Sequence, residues 1–536
     1  MGDTDKPKGD PPASSSVDKR DREHGMFQDS LVMKQSDELE DGFREKLGAF
    51  FDEGRLLEIY EFIMKHRPGK PVRPGRRVRG SYNAVFPLEF RDGSAAALRV
   101  RIAGQTAFPD EAVRVEVATL RYIEKMTSIP VPHVYHWGTA AENPLGLGPF
   151  IIMDYIFHDK KLEDLLVDPT VPDGEGDLDF TIPSDQLGRL YRQAAKIILQ
   201  LSKLEMPRIG SLQQQGDSFV VGSRPLTQDM NDLIVQGGIP PSMLPPENAT
   251  YSTSDEWYTA LADVHFALLT FQHNNAIDSD DDCRDKFVAR HLFRQLVRQG
   301  KLFDATATLA GSGETSGRPK KPPPRKQAKK ETFRLWMDDL RPSNILLDAD
   351  LNIVGVVDWE WTYFAPCSFV RDPPWWLLLG RPDYWDGGLL DFRDKYTGVL
   401  DVFFDAVRAE EDLELQEDDD EGWSLDQHIE TLSLDAVPLS ERMRQNWESG
   451  AFWANYAARR CYGFEPTFWE FVDKRFFGPN VEGGYEGRMN LLSEKVKRRM
   501  ESFVDRKVEE SKEKKLVDWD PEEARAYLAE ILADLD

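Results

Sequence analysis

A chain of 536 residues, 40% hydrophobic and 11% aromatic, has ample core material and exceeds what a single hydrophobic core organises, so it divides into lobes or domains. Its formal net charge of −27 excludes a general affinity for nucleic acid or for an anionic membrane surface, which need concentrated positive charge, and is easier to reconcile with a cationic small-molecule partner. Cys283, Cys367 and Cys461 are too few and too scattered for a disulfide framework or a cysteine-based zinc site, and neither a signal peptide nor an apolar run of ~18–20 residues is present, so no membrane insertion and a cytoplasmic location are expected.

Residues 1–38 are polar and rich in Pro, Ser, Asp and Lys, which predicts a disordered tail. A β pattern starts at Val78 and runs VRGSY, NAVFPLEF, the turn RDG and SAAALRVRI, which predicts a three-stranded antiparallel meander. Pro109 and Asp110 then open a helix whose Val113, Glu116, Val117, Leu120 and Ile123 share one face, so an acid lies on an apolar stripe. GPFIIMDYI reads as a further strand, and the first lobe is expected to span 39–157.

The second lobe, 158–505, is predicted to be mainly helical. LGRLYRQAAKIILQLSKL follows a Ser184 cap with Leu187, Leu190, Tyr191, Ala194, Ile198 and Leu201 on one stripe, and EWYTALADVHFALLTFQ reads as another helix. A Gly-, Pro- and Lys/Arg-rich stretch near 305–331 predicts a flexible basic insertion, and the acidic run near 409–422 a solvated loop. Short strands return as FRLWM, NILLD and NIVGVVDW. The C-terminal part, 506–536, is expected to follow a stretch charged all round and to end in a helix opened by Asp520 and Pro521.

Chemistry concentrates in MDDLRPSNILLDADLNIVGVVDWEW. If NILLD and NIVGVVD pair as a tight hairpin, Asn344 and Asp358 come to the same end of it, within roughly 5 Å for directly opposed residues. Asp339, five residues before Asn344 in a loop held open by Pro342 and Ser343, can project to the same point. Two Asp and one Asn form a hard-oxygen set suited to Mg²⁺, with one Asp free to accept a hydroxyl proton.

With those residues in place, the chain resembles the aminoglycoside phosphotransferase and choline kinase superfamily over about residues 45–480. That family's HGDLHPGNIL and IDWE stand here as MDDLRPSNIL and VDWE. The resemblance implies an α+β, protein-kinase-like bilobal fold, with a small antiparallel-sheet first lobe and a large helical second lobe. It further implies ATP-dependent phosphoryl transfer to a hydroxyl of a small molecule, with ATP and Mg²⁺ as cofactors. Asp339 would be the catalytic base, Asn344 and Asp358 the metal ligands, and Glu360 a neighbour tuning them. Gly80, Ser81 and Asn83 would approach phosphate oxygens, and Arg99 would stand where the family has a phosphate-contacting lysine. Arg99 would pair with Glu116, an ion pair the apolar stripe also calls for, because a buried acid needs a facing cation. Met153, Asp154, Tyr155 and Ile156 would form the hinge whose backbone meets adenine, with Tyr82 and Ile152 flanking the base.

Two departures stand against this pattern: Met337 replaces a loop-bracing His, and Arg99 replaces Lys, a cation of different reach. They favour an alternative of another class, a pseudokinase-type binding module. A protein kinase proper is disfavoured by the lack of DFG, APE and GxGxxG segments. His133 and His136 lack acidic or cysteine partners in sequence and are not read as a zinc pair. Gly146 and Gly148 precede a strand, which is the wrong context for a dinucleotide loop. Trp375 and Trp376 read as core.

Overall fold

The computed structural model describes residues 26–170, 177–302, 331–420 and 437–535. Two helices, α1 (Ser30–Asp52) and α2 (Leu56–His66), precede the first sheet. Helix α1 begins inside the stretch expected to be disordered, and the reason lies in its tertiary contacts: Met26, Asp29, Phe43 and Phe50 are all buried. Residues 1–25 lie outside the described residues, as do 303–330, which hold most of the basic stretch.

The first lobe is a six-stranded antiparallel sheet, β1 (Pro71–Pro74), β2 (Val78–Arg79), β3 (Asn83–Phe90), β4 (Ala95–Arg101), β5 (Val134–Gly138) and β6 (Phe150–Asp154), ordered β1-β3-β4-β6-β5 with β2 beside β3. Strand alternation sorts its residues. Ala84, Phe86, Leu88, Leu98, Val100, Phe150 and Ile152 form one core with Phe43, Phe50, Ile59, Phe62 and Ile63 of the two helices. Arg99 and Arg101 share the opposite face, where helix α3 (Pro109–Met126) presents Glu116. The predicted meander and helix are therefore present, and β1 and β5 join them as strands that had no clear sequence signal.

The larger second lobe is mainly helical: α4 (Ser184–Ser202), α5 (Gln228–Val235), α6 (Ser254–Phe271), α7 (Asp280–Arg298), α8 (Gly388–Asp420), α9 (Leu439–Glu448), α10 (Ala451–Arg459), α11 (Glu494–Ser511) and α12 (Pro521–Leu535) are its main helices. Helix α4 packs along α8, and α6 and α11 pack on α7. The α+β bilobal architecture expected from sequence is what the chain adopts.

Three details differ from expectation. Ser184 does not cap α4, whose N-cap is Pro183 without a side-chain bond. The acidic run is helical as far as Asp420: Glu410 is buried against Arg192, and Glu411 accepts from the backbone N–H groups of Leu439 and Ser440, so its first acids brace neighbouring helices. Finally, α11 is not charged all round, because Val496, Met500, Phe503 and Val504 form a buried stripe. Asp520 does cap α12, accepting from the N–H groups of Glu522 and Glu523 at 2.9 and 3.0 Å.

Small sheets carry the chemistry-bearing segment. β7 (Lys160–Lys161) pairs with β12 (Ile345–Leu347), which pairs with β13 (Ile353–Val356); β8 (Glu205–Met206) pairs with β11 (Phe333–Met337), which pairs with β14 (Thr362–Ala365). A separate hairpin, β9 (Ser211–Gln215) and β10 (Ser218–Ser223), leads into α5. Among the described residues no helix is long and apolar enough to cross a membrane. Cys283, Cys367 and Cys461 form no disulfide.

Candidate functional site

Asp339 sits in the turn between β11 and β12. Pro342 starts a 3-10 turn there, Pro342–Asn344, and so prevents the chain from continuing as helix or strand. The Asn344 side chain folds back on this turn, its Nδ2 donating to the Asp339 carbonyl at 2.9 Å, which leaves Oδ1 as the free acceptor end of the amide. The Asp339 carboxyl is buried, and burial pushes its pKa up against the opposing pull of Arg341 and Arg381. Arg341 Nε lies 3.5 Å from Asp339 Oδ1.

Across the hairpin the register differs from direct opposition. Ile345 pairs with Val356, and Val357 donates to the Asn344 carbonyl at 3.0 Å, so the partner of Asn344 is Val357 and Asp358 lies one residue beyond. Asp358 then adopts φ +63°, a left-handed conformation uncommon for a non-glycine residue, which breaks strand alternation at that position. Its Oδ1 is buried and has no hydrogen-bond partner. Burial, then the adjacent Glu360 carboxylate, drives the Asp358 pKa well above its ordinary value. A buried, orphaned carboxylate oxygen crowded by another acid is the environment a cation relieves, and the Asn344 and Asp358 oxygens fit a hard divalent ion. Among the described residues no group of three or more His, Cys, Asp and Glu side chains converges in a way that could hold a metal, here or elsewhere.

Facing this segment, the first lobe supplies two guanidinium groups. Arg99 and Arg101, alternate residues of β4, both donate to Glu116 Oε2, Arg101 at 3.1 Å. Arg101 also donates to Glu360 Oε2, so one buried side chain ties the first lobe to the segment carrying Asp358. Burial opposes the Arg99 charge, but Glu116, with Asp358 and Glu360 adding, outweighs it and raises the pKa. Burial raises the Glu360 pKa, and Arg101, then a hydrogen bond with the Asp358 side chain, then Arg99 overcome it, holding that carboxyl below its usual range. Asn83 completes the bridge, its Nδ2 donating to Glu360 Oε1 at 3.4 Å while its Oδ1 is buried without a partner.

The other residues singled out in the sequence fall into two groups. Gly80 and Ser81 form the exposed tip before β3, where the Gly80 N–H donates to the Asn83 carbonyl at 2.9 Å. Ile156 packs on β13, where a Cβ at Gly355 would come within 2.6 Å of it, so the segment after β6 does cross between lobes. Asp154 is bound elsewhere, its carboxylate accepting from Tyr135 Oη at 2.6 Å and the His133 N–H at 3.2 Å.

Ile152 and Tyr82 do not flank a common base-binding slot. Ile152 pairs with Leu98 on the face covered by α1 and α2 and is fully buried, whereas Ile151, paired with Arg99, takes the opposite face under α3 and is buried there. Tyr82 points toward the turn that carries Asp339: its ring lies 6.3 Å from Trp361, and burial followed by the charge of Asp232 raises its phenol pKa, with Gln228, Glu360 and Asp339 also within its reach.

Sequence reasoning passed over Arg101, Arg341 and Arg381. Arg101 was legible, since a residue two beyond Arg99 on one strand must share its face. Arg381, which donates to Gln228 Oε1 at 2.9 Å, was not, because its position depends on how α5 packs.

Met337 is buried in the wall of a cavity of about 40 Å³ shared with Trp375, Trp376 and Asp338, so both tryptophans are core residues. The turn is braced instead through Asp338, whose N–H donates to the Trp361 carbonyl at 3.2 Å and whose Oδ1 accepts from Trp336 Nε1 at 3.3 Å. His133 and His136 are apart in role: the first contacts Glu124 at 2.7 Å, and the second stacks on His66 with ring centroids 3.7 Å apart.

No family model matches the chain. Among curated proteins it is 24% identical over 152 residues to a subtelomeric hrmA-associated cluster protein of Aspergillus fumigatus, a match covering 28% of this chain and 26% of that protein. Among solved structures it is similar to macrolide 2'-phosphotransferase MphH from Brachybacterium faecium, at 12% identity and TM-score 0.31 over 79% of this chain and 98% of the other. It is also similar to an ethanolamine kinase from Plasmodium vivax, at 10% identity and TM-score 0.29 over 75% and 80%. At these values none of them assigns an activity to the chain.

Proposed function

We propose that the chain is an ATP-dependent phosphotransferase acting on a hydroxyl of a small molecule, as in the aminoglycoside phosphotransferase and choline kinase superfamily. The observation that carries the reading is the buried, unpartnered Asp358 oxygen, on a left-handed residue at the hairpin end where the Asn344 amide presents its acceptor, with Asp339 bonded to the same amide through its carbonyl. Asn344 and Asp358 would hold Mg²⁺, which would supply positive charge to offset that of the phosphates. Asp339, with its raised pKa, orients the acceptor hydroxyl and takes its proton, and Arg341 beside it stabilises the carboxylate once ionised. Arg99, steadied by Glu116, offers positive charge to the nucleotide from above. Catalysis of this kind comes from positioning and electrostatics more than from covalent participation by the protein.

A second reading, a binding module without turnover, is favoured by one specific observation: Arg101 and Asn83 fasten the first lobe to Glu360 across the cleft. The two readings separate in a paired experiment. MgATP is titrated against the melting temperature of wild type and Asp358→Asn, and γ-phosphate loss is followed for wild type and Asp339→Asn. Phosphotransfer requires stabilisation that Asp358→Asn weakens, about 2.7 kcal/mol at a hundred times Kd, together with turnover that Asp339→Asn abolishes. Stabilisation with turnover indifferent to Asp339 supports the binding module; absence of any MgATP effect ends both.

A further inference from the structure

Helix α1 touches both lobes. Its first turn is set into the second lobe: the buried Asp29 carboxylate caps the helix and also accepts from Asn274 N and Nδ2, each at 2.9 Å. The Asp29 N–H and Ser36 Oγ donate to the carbonyls of Gln236 and Val235 at the end of α5, both at 2.7 Å. Val32 lies so close to Gly238 that a Cβ there would sit 2.5 Å from its Cγ2.

About a turn farther on, the same helix meets the first lobe. Gly104, in the loop after β4 with φ +86°, lets the backbone approach until a Cβ would lie 2.3 Å from the Ser36 carbonyl oxygen and 3.0 Å from Leu39 Cβ. Gln105 Nε2 donates to Glu40 Oε2 at 2.6 Å, and the other Glu40 oxygen accepts from Arg79 at the base of the Gly80–Ser81 tip. Helix α5 binds the same loop, Asn231 receiving the Ala107 N–H at 2.9 Å and donating to the Gln105 carbonyl at 3.1 Å. Glu40, Arg79, Gly80, Ser81 and Gln105 together line an open recess of about 500 Å³.

We propose that α1 is a strap fixing the separation of the two lobes, and that Glu40 is a positioning residue which, through Arg79, holds the Gly80–Ser81 tip over the cleft. The strap stands on these contacts alone; only the consequence for nucleotide rests on the phosphotransfer reading. The ends of α1 are anchored on different lobes, so a change in their separation must break either the Asp29–Asn274 contacts or the Ser36–Gly104 approach.

The test uses the full chain with Cys367→Ser, leaving Cys283 and Cys461 buried, and spin labels on cysteines replacing the exposed Arg91 in the first lobe and Lys196 in the second. The interlobe distance distribution is compared for the parent, Asp29→Ala and Asp29→Asn, the last of which keeps the cap. A narrow parent distribution that broadens to longer distances in Asp29→Ala, and also in Asp29→Asn, whose Oδ1 still caps the helix while its amide nitrogen opposes the Asn274 N–H, supports the strap. A distribution unchanged in Asp29→Ala overturns it, whatever the nucleotide data. For Glu40, the MgATP Kd is expected to rise about three- to fivefold in Glu40→Gln, as a partly exposed ion pair allows, with the melting temperature retained. Arg79→Gln should do the same, and the double variant no more; additive effects, or an unchanged Kd in a protein that binds MgATP, remove the positioning role. If the distances respond but no form binds MgATP, the strap survives and the phosphotransfer reading fails.

Discussion

Removing the Arg101 charge by Arg101→Met should destabilise the protein by about 3–5 kcal/mol, the range for breaking a buried pair by deleting one partner. The structure sets this magnitude. The Arg101, Glu116 and Glu360 side chains are 2%, 1% and 2% exposed, so water screens none of them. Two guanidinium groups, Arg99 and Arg101, face Glu116 and Glu360; deleting Arg101 leaves one negative charge uncompensated in the closed cleft. Deleting Glu360 as well restores the balance, because Arg99 and Glu116 still neutralise each other. The double variant Arg101→Met/Glu360→Leu should therefore recover most of the loss, as apolar replacements of whole buried pairs tend to. Urea unfolding of the four proteins, read as shifts in midpoint at constant slope, gives the coupling directly. A loss below about 1 kcal/mol for Arg101→Met, as an exposed pair gives, or a double variant less stable than either single one, would refute the reasoning.

Gly104→Ala should destabilise by roughly 2–4 kcal/mol, combining a left-handed backbone with a collision against the Ser36 carbonyl; thermal unfolding together with limited proteolysis of α1 checks it, and a neutral result would mean that helix and loop are not in contact. His265 is buried, its Nε2 is 3.2 Å from the Ala458 carbonyl, and burial, with Arg290 adding, lowers its pKa to about 3. The folded state thus binds fewer protons than the unfolded state between about pH 6.5 and about 3, so stability present above the upper value is lost as pH falls through that window, by roughly 5 kcal/mol from this group. His265→Gln should flatten that part of the stability profile relative to wild type, and an unchanged acid limb would contradict the burial. Asp372, whose pKa burial raises to about 7, works in the opposite sense: stability falls as pH rises from about 4 toward 7, and Asp372→Asn should remove that slope in denaturation measured across the interval.

The amino-acid sequence by itself determined whatever depends on neighbours a few residues apart. The meander around β3 and β4, the stripe of α3 with Glu116 on it, and the turn that closes on Asn344 follow from periods of 2 and 3.6 and from proline and turn chemistry. The Arg99–Glu116 pair was legible because an acid on an apolar stripe needs a cation within reach.

Only the tertiary structure decided what depends on distant segments. Arg101 meets Glu360 across 259 positions of sequence, and α1 is ordered because Asp29 finds Asn274 across 245. Ile152 failed as a cleft residue because α1 and α2 cover its face of the sheet while α3 packs on the other, and which parity faces which is set by where those helices dock. Asp358 reaches its place through a left-handed backbone, a conformation that an isolated aspartate does not favour and that the surrounding packing imposes. Local pattern specifies which residues share a face; the free energy of burying that face against another part of the chain specifies what it meets.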